Sequence, residues 1–166
     1  MSLSGDEAQN GNDTKLEFRW SRLESLTALE VHEIIKARES VFVVEQGCPY
    51  QEADDMDLHA WHLSAFFNGE LAAYARVVDP GIKYGQPSIG RVMTVKKFRG
   101  LKAGRALMEE AIRFTDRNFP AREITIAAQV YLREFYESLG FRACGHPYEE
   151  DGIPHVDMVR SAHHAA

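Results

Sequence analysis

Between a β-rich run at Ile89 to Val95 and an amphipathic stretch ending at Phe114, the chain reads Arg99-Gly100-Leu101-Lys102-Ala103-Gly104. Four cations, Lys97, Arg99, Lys102 and Arg105, lie in or beside it. A strand that turns into a helix leaves the first helical N–H groups unpaired and aims the positive end of the helix dipole at the turn. Glycines at 100 and 104 remove side chains where backbone can approach a ligand. Such a turn suits an anion, and a diphosphate is its natural occupant; a plain strand–helix connection with solvated charges is the alternative. The spacing is neither a P-loop nor a dinucleotide fingerprint, because no Gly-Lys-Ser/Thr triplet follows and G-x-G-x-x-G is missing.

Other chemistry-bearing residues are scattered. Carboxylates concentrate in Gln51-Glu52-Ala53-Asp54-Asp55-Met56-Asp57, with Arg38 before them and Arg76 after. His59 and His62, read as members of one strand, sit three apart and face opposite sides, and His163 and His164 fall at the end of the chain, so no metal site is expected. Cys48 has no neighbouring His or Lys to activate it.

The elements that must position these groups follow from periodicity. Leu16 to Leu23 alternates as a strand, and Thr27-Ala28-Leu29-Glu30 fits a capping box that opens a helix with Ile34, Ile35, Arg38, Val41 and Phe42 on one face. His59 to Phe67 and Leu71 to Val78 flank Asn68-Gly69, a favoured hairpin turn. After the strand–turn–helix unit, Glu123 to Ala128 reads as a buried strand and Leu132 to Leu139 as a short helix closed by Gly140. Strands at Phe141 to Cys144 and His155 to Arg160 flank an Asp151-Gly152 turn. The order implies a mixed α/β fold, a central mixed sheet flanked by helices and partly parallel across its two later helical crossovers.

The chain has 166 residues, 45% of them hydrophobic, which fits one domain with a core, expected at 16–161 between polar tails at 1–15 and 162–166. Lys and Arg total 19 against 25 Asp and Glu, a net charge of −6, which argues against broad binding to nucleic acid or anionic membrane. Two cysteines make no disulfide framework, and neither a membrane-length apolar run nor a signal-peptide pattern is present, so a reduced cytoplasmic protein is expected.

The run Arg99 to Gly104 resembles the acetyl-CoA pyrophosphate loop of the GNAT N-acetyltransferases, R/Q-x-x-G-x-G/A, with Lys102 where the family usually has its first glycine. Phe135-Tyr136-Glu137-Ser138-Leu139-Gly140-Phe141 is similar to the F-Y-x-x-L-G-F segment that follows the family's fifth strand. Arg38 to Gln46 and Tyr148 to His155 look like the ElaA-type subfamily. A looser similarity, through Arg38, Phe42, Glu52, Asp54, Asp57 and Arg76, links the first third to acyl-homoserine lactone synthases, without the tryptophan those enzymes carry.

The resemblance implies the GNAT acyl-CoA N-acyltransferase fold and direct acetyl transfer from acetyl-CoA to a primary amine of a small molecule or peptide. Backbone at Val92, Met93 and Thr94 would pair with the pantetheine arm, Gln129 would bond it, and Arg99, Gly100, Lys102, Ala103, Gly104 and Arg105 would hold the diphosphate. Tyr136 would protonate the leaving thiolate; the alternative is a core aromatic beside Phe135 and Leu139. An ammonium must lose a proton before it attacks, so Glu45 is the first candidate to accept it or to hold the ammonium, with His155, His59 and Asp57 behind. Arg38, Glu52, Asp54, Asp57, Arg76 and His155 are candidates for acceptor binding, and the acidic loop is alternatively a solvated charge run. Two rival functions stand beside this one, a non-catalytic CoA-binding module and an acyltransferase fed by acyl carrier protein, and a homodimer is an open partner.

Overall fold

A computed structural model describes residues 15–162. The expected tails therefore lie outside the described residues, apart from Lys15 and Ala162. In chain order the elements are β1 (Glu17–Arg22), α1 (Ala28–Glu39), β2 (Ala60–Phe67), β3 (Glu70–Val78), β4 (Ser88–Thr94), α2 (Ala103–Asn118), β5 (Ile124–Gln129), α3 (Arg133–Glu137), β6 (Phe141–Glu150) and β7 (Ile153–Arg160). The seven strands make one sheet ordered β1-β2-β3-β4-β5-β7-β6. Among the described residues only β4 and β5 pair in parallel. The second helical crossover also returns the chain in the same direction, but β7 inserts antiparallel between β5 and β6.

Helix α1 starts where its capping box says: the Glu30 amide donates to Thr27 Oγ1 at 3.2 Å and the Thr27 amide to Glu30 Oε2 at 2.8 Å. It continues as one π-helical segment, Ser40–Glu45. Along β3, side chains alternate between the two faces of the sheet. Ala73, Ala75 and Val77 join Leu107, Met108, Ala111 and Ile112 of α2 in the main core, whereas Tyr74 packs with Ile34, Val41, Phe42 and Met93 under α1. The small alanines of β3 allow α2 to lie close over the sheet centre. Trp20 of edge strand β1 stacks on Phe114 at 3.7 Å between ring centroids and donates its indole N–H to Glu110.

Two of the differences from the expected extents have a local cause. His59 lies in a 3-10 turn at Asp55–His59, ahead of β2, because the Asp54 carboxylate accepts from the Met56 amide and starts a helical turn there. β6 runs to Glu150 through a register slip between Cys144 and Tyr148, where Gly145 takes φ 83°; the slip breaks the alternation that would have marked the strand.

Candidate active site

β4 and β5 touch at one point. Ser88 pairs with Thr125, and beyond that pair the strands diverge, leaving the rest of β4's edge without a strand partner. A cleft of about 680 Å³ occupies the gap, with Thr94, Gly104, Gln129 and Tyr136 toward the strands' C-terminal ends and Arg76 and Ser88 toward the start of β4. The divergence is helped by a bulge. Between Tyr74 and Arg76 of β3, β4 supplies an extra residue, and Arg91 there adopts φ 51°.

The turn into α2 has an unusual backbone. Gly100 has φ 95° and Lys102 φ 55°, so the lysine takes the left-handed conformation that a glycine adopts at no steric cost. The first helical bond runs from the Ala106 amide to the Lys102 carbonyl, and Lys102 supplies no side-chain cap, so the N–H groups of Ala103, Gly104 and Arg105 have no partner among the described residues. Ala103 is 2% exposed and contributes backbone alone. A Cβ on Gly104 would stand 3.4 Å from Thr94 Oγ1, narrowing the cleft. These residues fit a diphosphate.

The cations around the turn divide. Lys97 pairs with Glu70 at 2.7 Å, and Arg105 reaches Ser138 and Glu109. Arg99 lines the cleft but donates to both Glu45 carboxylate oxygens and to the Thr94 carbonyl. Lys102 is exposed and makes no ion pair among the described residues.

Tyr136 is both a core aromatic and a cleft residue. It is 7% exposed, and its ring sits edge-on to Phe135 and Phe141. Its hydroxyl nevertheless makes no hydrogen bond among the described residues, and the residue lines the cleft. Burial pushes the phenol up to about 12, with Tyr131 adding a smaller push in the same direction, so it stays protonated at neutral pH.

On the α1 side of the sheet, three carboxylates of the acidic loop, Glu52, Asp54 and Asp57, are paired with arginines. Arg38, 1% exposed, donates to Glu52 and, through both Nη atoms, to Asp57. Arg76 donates to Asp54 at 2.6 Å and to Asp57 at 2.8 Å. Arg91 reaches the Glu52 carboxylate at 2.7 Å and its carbonyl at 2.9 Å. Three guanidiniums thus neutralise three carboxylates, and the group ties α1, the 51–57 loop, β3 and the β4 bulge together. Burial opposes the charges of Asp54 and Asp57, yet the arginine bonds hold both carboxyls below the usual range.

The β6–β7 hairpin roofs the cleft. Cys48 Sγ donates to the Asp151 carbonyl at 2.8 Å, fixing the hairpin tip against the segment that follows α1. His155 of β7 lines the cleft and donates Nδ1–H to the Ile153 carbonyl at 2.7 Å, which leaves Nε2 outside that bond.

A family model described as an acetyltransferase (GNAT) domain matches residues 29–162. The chain belongs to the GNAT acetyltransferase family. ElaA of Escherichia coli is 38% identical over 137 residues, covering 81% of this chain and 90% of that one. The crystal structure of E. coli ElaA superposes on this GNAT domain with a TM-score of 0.83, over 89% of this chain and 100% of that one, at 35% identity. An acyl-CoA N-acyltransferase from Pseudomonas aeruginosa gives a TM-score of 0.84 at 39% identity, covering 89% and 100%. The AHL synthase LasI, at 14% identity and a TM-score of 0.74 over 89% and 90%, shares the fold.

Within this GNAT core, the sequence-predicted residues separate into groups. Val92, Met93, Thr94, Arg99, Gly104, Gln129, Tyr136, Glu45 and His155 come together on the cleft, with Gly100, Lys102, Ala103 and Arg105 forming the turn at its end. Asp54 and Arg76 reach the cleft wall, while Arg38, Glu52 and Asp57 are buried against arginine or carboxylate partners. Arg91 went unseen in sequence reasoning. An arginine inside a β-rich run gives no local sign of a bulge, and its partners lie 37 and 39 residues away. No helix among the described residues is long and apolar enough to cross a membrane.

Proposed function

We propose that this protein is an acetyl-CoA-dependent N-acetyltransferase that moves an acetyl group directly to a primary amine of a small molecule or peptide. One observation carries the reading: a single cleft joins the unpaired N–H groups at the start of α2 to the unbonded hydroxyl of Tyr136. Bound acetyl-CoA would supply an activated thioester. The free edge of β4 at Val92 and Met93 offers backbone groups to an extended pantetheine arm and a donor for the developing oxyanion. Gly100 to Arg105 hold the diphosphate, and Gln129 bonds the arm.

In the transfer itself the amine nitrogen forms the new N–C bond as the C–S bond breaks. His155 Nε2 takes the proton that the amine releases, directly or through one water, and Tyr136 gives its proton to the departing sulfur. We assign the base to His155 ahead of Glu45, because the Arg99 hydrogen bonds lower the Glu45 pKa and make that carboxylate a weaker base. The arginine–carboxylate group beside the cleft acts through the bulge, fixing the β4 edge in place.

The test is a thiol-release screen with acetyl-CoA against polyamines, amino acids, aminoglycosides and peptide N-termini, run beside Tyr136→Phe. Release with at least one amine, reduced in the variant, is expected. Binding of CoA without release across the panel would point instead to a binding module, and release from acyl carrier protein alone would change the donor.

A further inference from the structure

The start of β4 carries charges that the fold does not consume. Arg38, Arg76 and Arg91 are matched by Glu52, Asp54 and Asp57, and Arg99 is matched by Glu45. Lys83, in the loop between β3 and β4, lines the same cleft, yet it makes no ion pair or hydrogen bond among the described residues and only lies over the Tyr84 ring at 5.3 Å. Glu150, at the end of β6, also lines the cleft, and its carboxylate lies 3.8 Å from His155 Nε2, beyond hydrogen-bond reach.

Lys83 is exposed by surface area, yet enough protein crowds its ammonium to lower its pKa, with the Glu150 carboxylate pulling the other way and Arg76 and Arg91 adding to the lowering. Arg76, on the cleft wall, keeps a buried Nε with no partner among the described residues. Opposite charges held near a half-desolvated cleft without meeting are more favourable once a ligand pairs with both.

We propose that this end of the cleft is an acceptor subsite for a zwitterion, with a small amino acid's amine facing His155 and Glu150 and its carboxylate facing Lys83. The proposal rests on the acyl-transfer reading and narrows its acceptor to an amine that also bears a carboxylate. The chemical step is unchanged: the amine nitrogen bonds the acyl carbon, the C–S bond breaks, one proton goes to His155 and one from Tyr136 to sulfur.

Matched acceptors test it. Glycine, β-alanine and leucine are compared with their amides in thiol release from acetyl-CoA. The amide amines are less basic and so more fully deprotonated at neutral pH, and intrinsic reactivity therefore runs against the expected result. At least one acid should exceed its amide ten-fold or more in kcat/KM, Lys83→Met should erase that preference, and Lys83→Arg should keep it. Saturation-transfer NMR in the presence of CoA reads the same subsite without turnover: the acid gives a signal, the amide gives none, and Lys83→Met abolishes it. Acetylation of amides and simple amines as fast as acids would sink the subsite while leaving the transferase reading intact. A preference that survives Lys83→Met, or absence of any amino-acid signal by NMR, overturns the subsite whatever the turnover.

Discussion

Glu45 accepts two hydrogen bonds from Arg99, at 2.5 and 3.0 Å, joining the end of the π-helical segment after α1 to the turn that opens α2. The carboxylate thereby occupies the guanidinium that a diphosphate would otherwise use. Exposed pairs of this kind contribute roughly 0.2–1 kcal/mol. Glu45→Gln is therefore expected to tighten CoA binding by up to about five-fold in calorimetry, since about 1.4 kcal/mol corresponds to ten-fold. Weaker binding in the variant would mean that Glu45 holds Arg99 in its binding pose.

Tyr136→Phe removes a hydroxyl that no described residue engages. Turnover is expected to fall by about 10² or more, the usual scale of a lost general acid, with CoA affinity and melting temperature close to those of the parent. Equal kcat in the two proteins removes the acid role.

Lys102 separates backbone from charge. A side chain in the left-handed conformation costs about 1–2 kcal/mol, so Lys102→Gly should raise stability by about 1 kcal/mol in urea unfolding. The same change deletes a cation at the mouth of the anion cradle, so CoA affinity should drop and become less sensitive to salt. A variant that binds as tightly, with an unchanged salt slope, shows that the lysine never meets the phosphates.

The buried ion group should answer differently at its two ends. Arg38→Ala leaves Glu52 and Asp57 short of their partner in a buried setting and is expected to cost about 3–5 kcal/mol of stability. Arg91 is partly exposed, and Arg91→Gly relaxes its positive φ while cutting the tether to Glu52. That variant should remain folded and lose kcat more than CoA affinity, because the bulge that aims the β4 edge is no longer held. Unchanged kcat separates the bulge from catalysis.

His62 gives the fold a pH dependence. Its Nε2–H donates to the Asp57 carbonyl at 2.9 Å, and its Nδ1 lies 2.6 Å from the Tyr74 hydroxyl, which donates to it when the ring is neutral. Burial lowers its pKa first, the Asp57 backbone bond and charge oppose that, and Arg38 and Arg76 add to the lowering. The unfolded chain takes up the proton more readily, so this contribution is present above about pH 6.5 and is lost as pH falls through the lower folded value. The melting temperature should decline from pH 7 toward 5, and His62→Gln should flatten that part of the profile. An equal decline in the variant assigns the effect to carboxylates.

Local signals were legible in the chain; the contacts between distant segments were not. The Thr27–Glu30 capping box, the Asn68-Gly69 hairpin and the turn at Gly100 to Gly104 are each written in neighbouring residues, and residues of both glycine-containing motifs, Gly104 and Tyr136, line the cleft. Glu52, Asp54 and Asp57 read as acceptor-binding residues or, alternatively, as a solvated charge run, because a string of carboxylates carries no mark of pairing with arginines 14 to 39 residues away. Glu45 was visible as an acid near the site, but its commitment to Arg99 spans 54 residues and belongs to the folded chain. The extension of β6 to Glu150 hid behind a bulge.

The single Ser88–Thr125 bridge makes the sheet two panels stitched at one point, with a row of backbone donors and acceptors facing the cleft. Any extended molecule that hydrogen-bonds along that row serves as an interposed strand, and its binding energy adds directly to the cohesion of the two panels. Thermal denaturation thus becomes a donor assay in its own right: acyl thioesters can be ranked by how far they raise the unfolding temperature, before any acceptor is known.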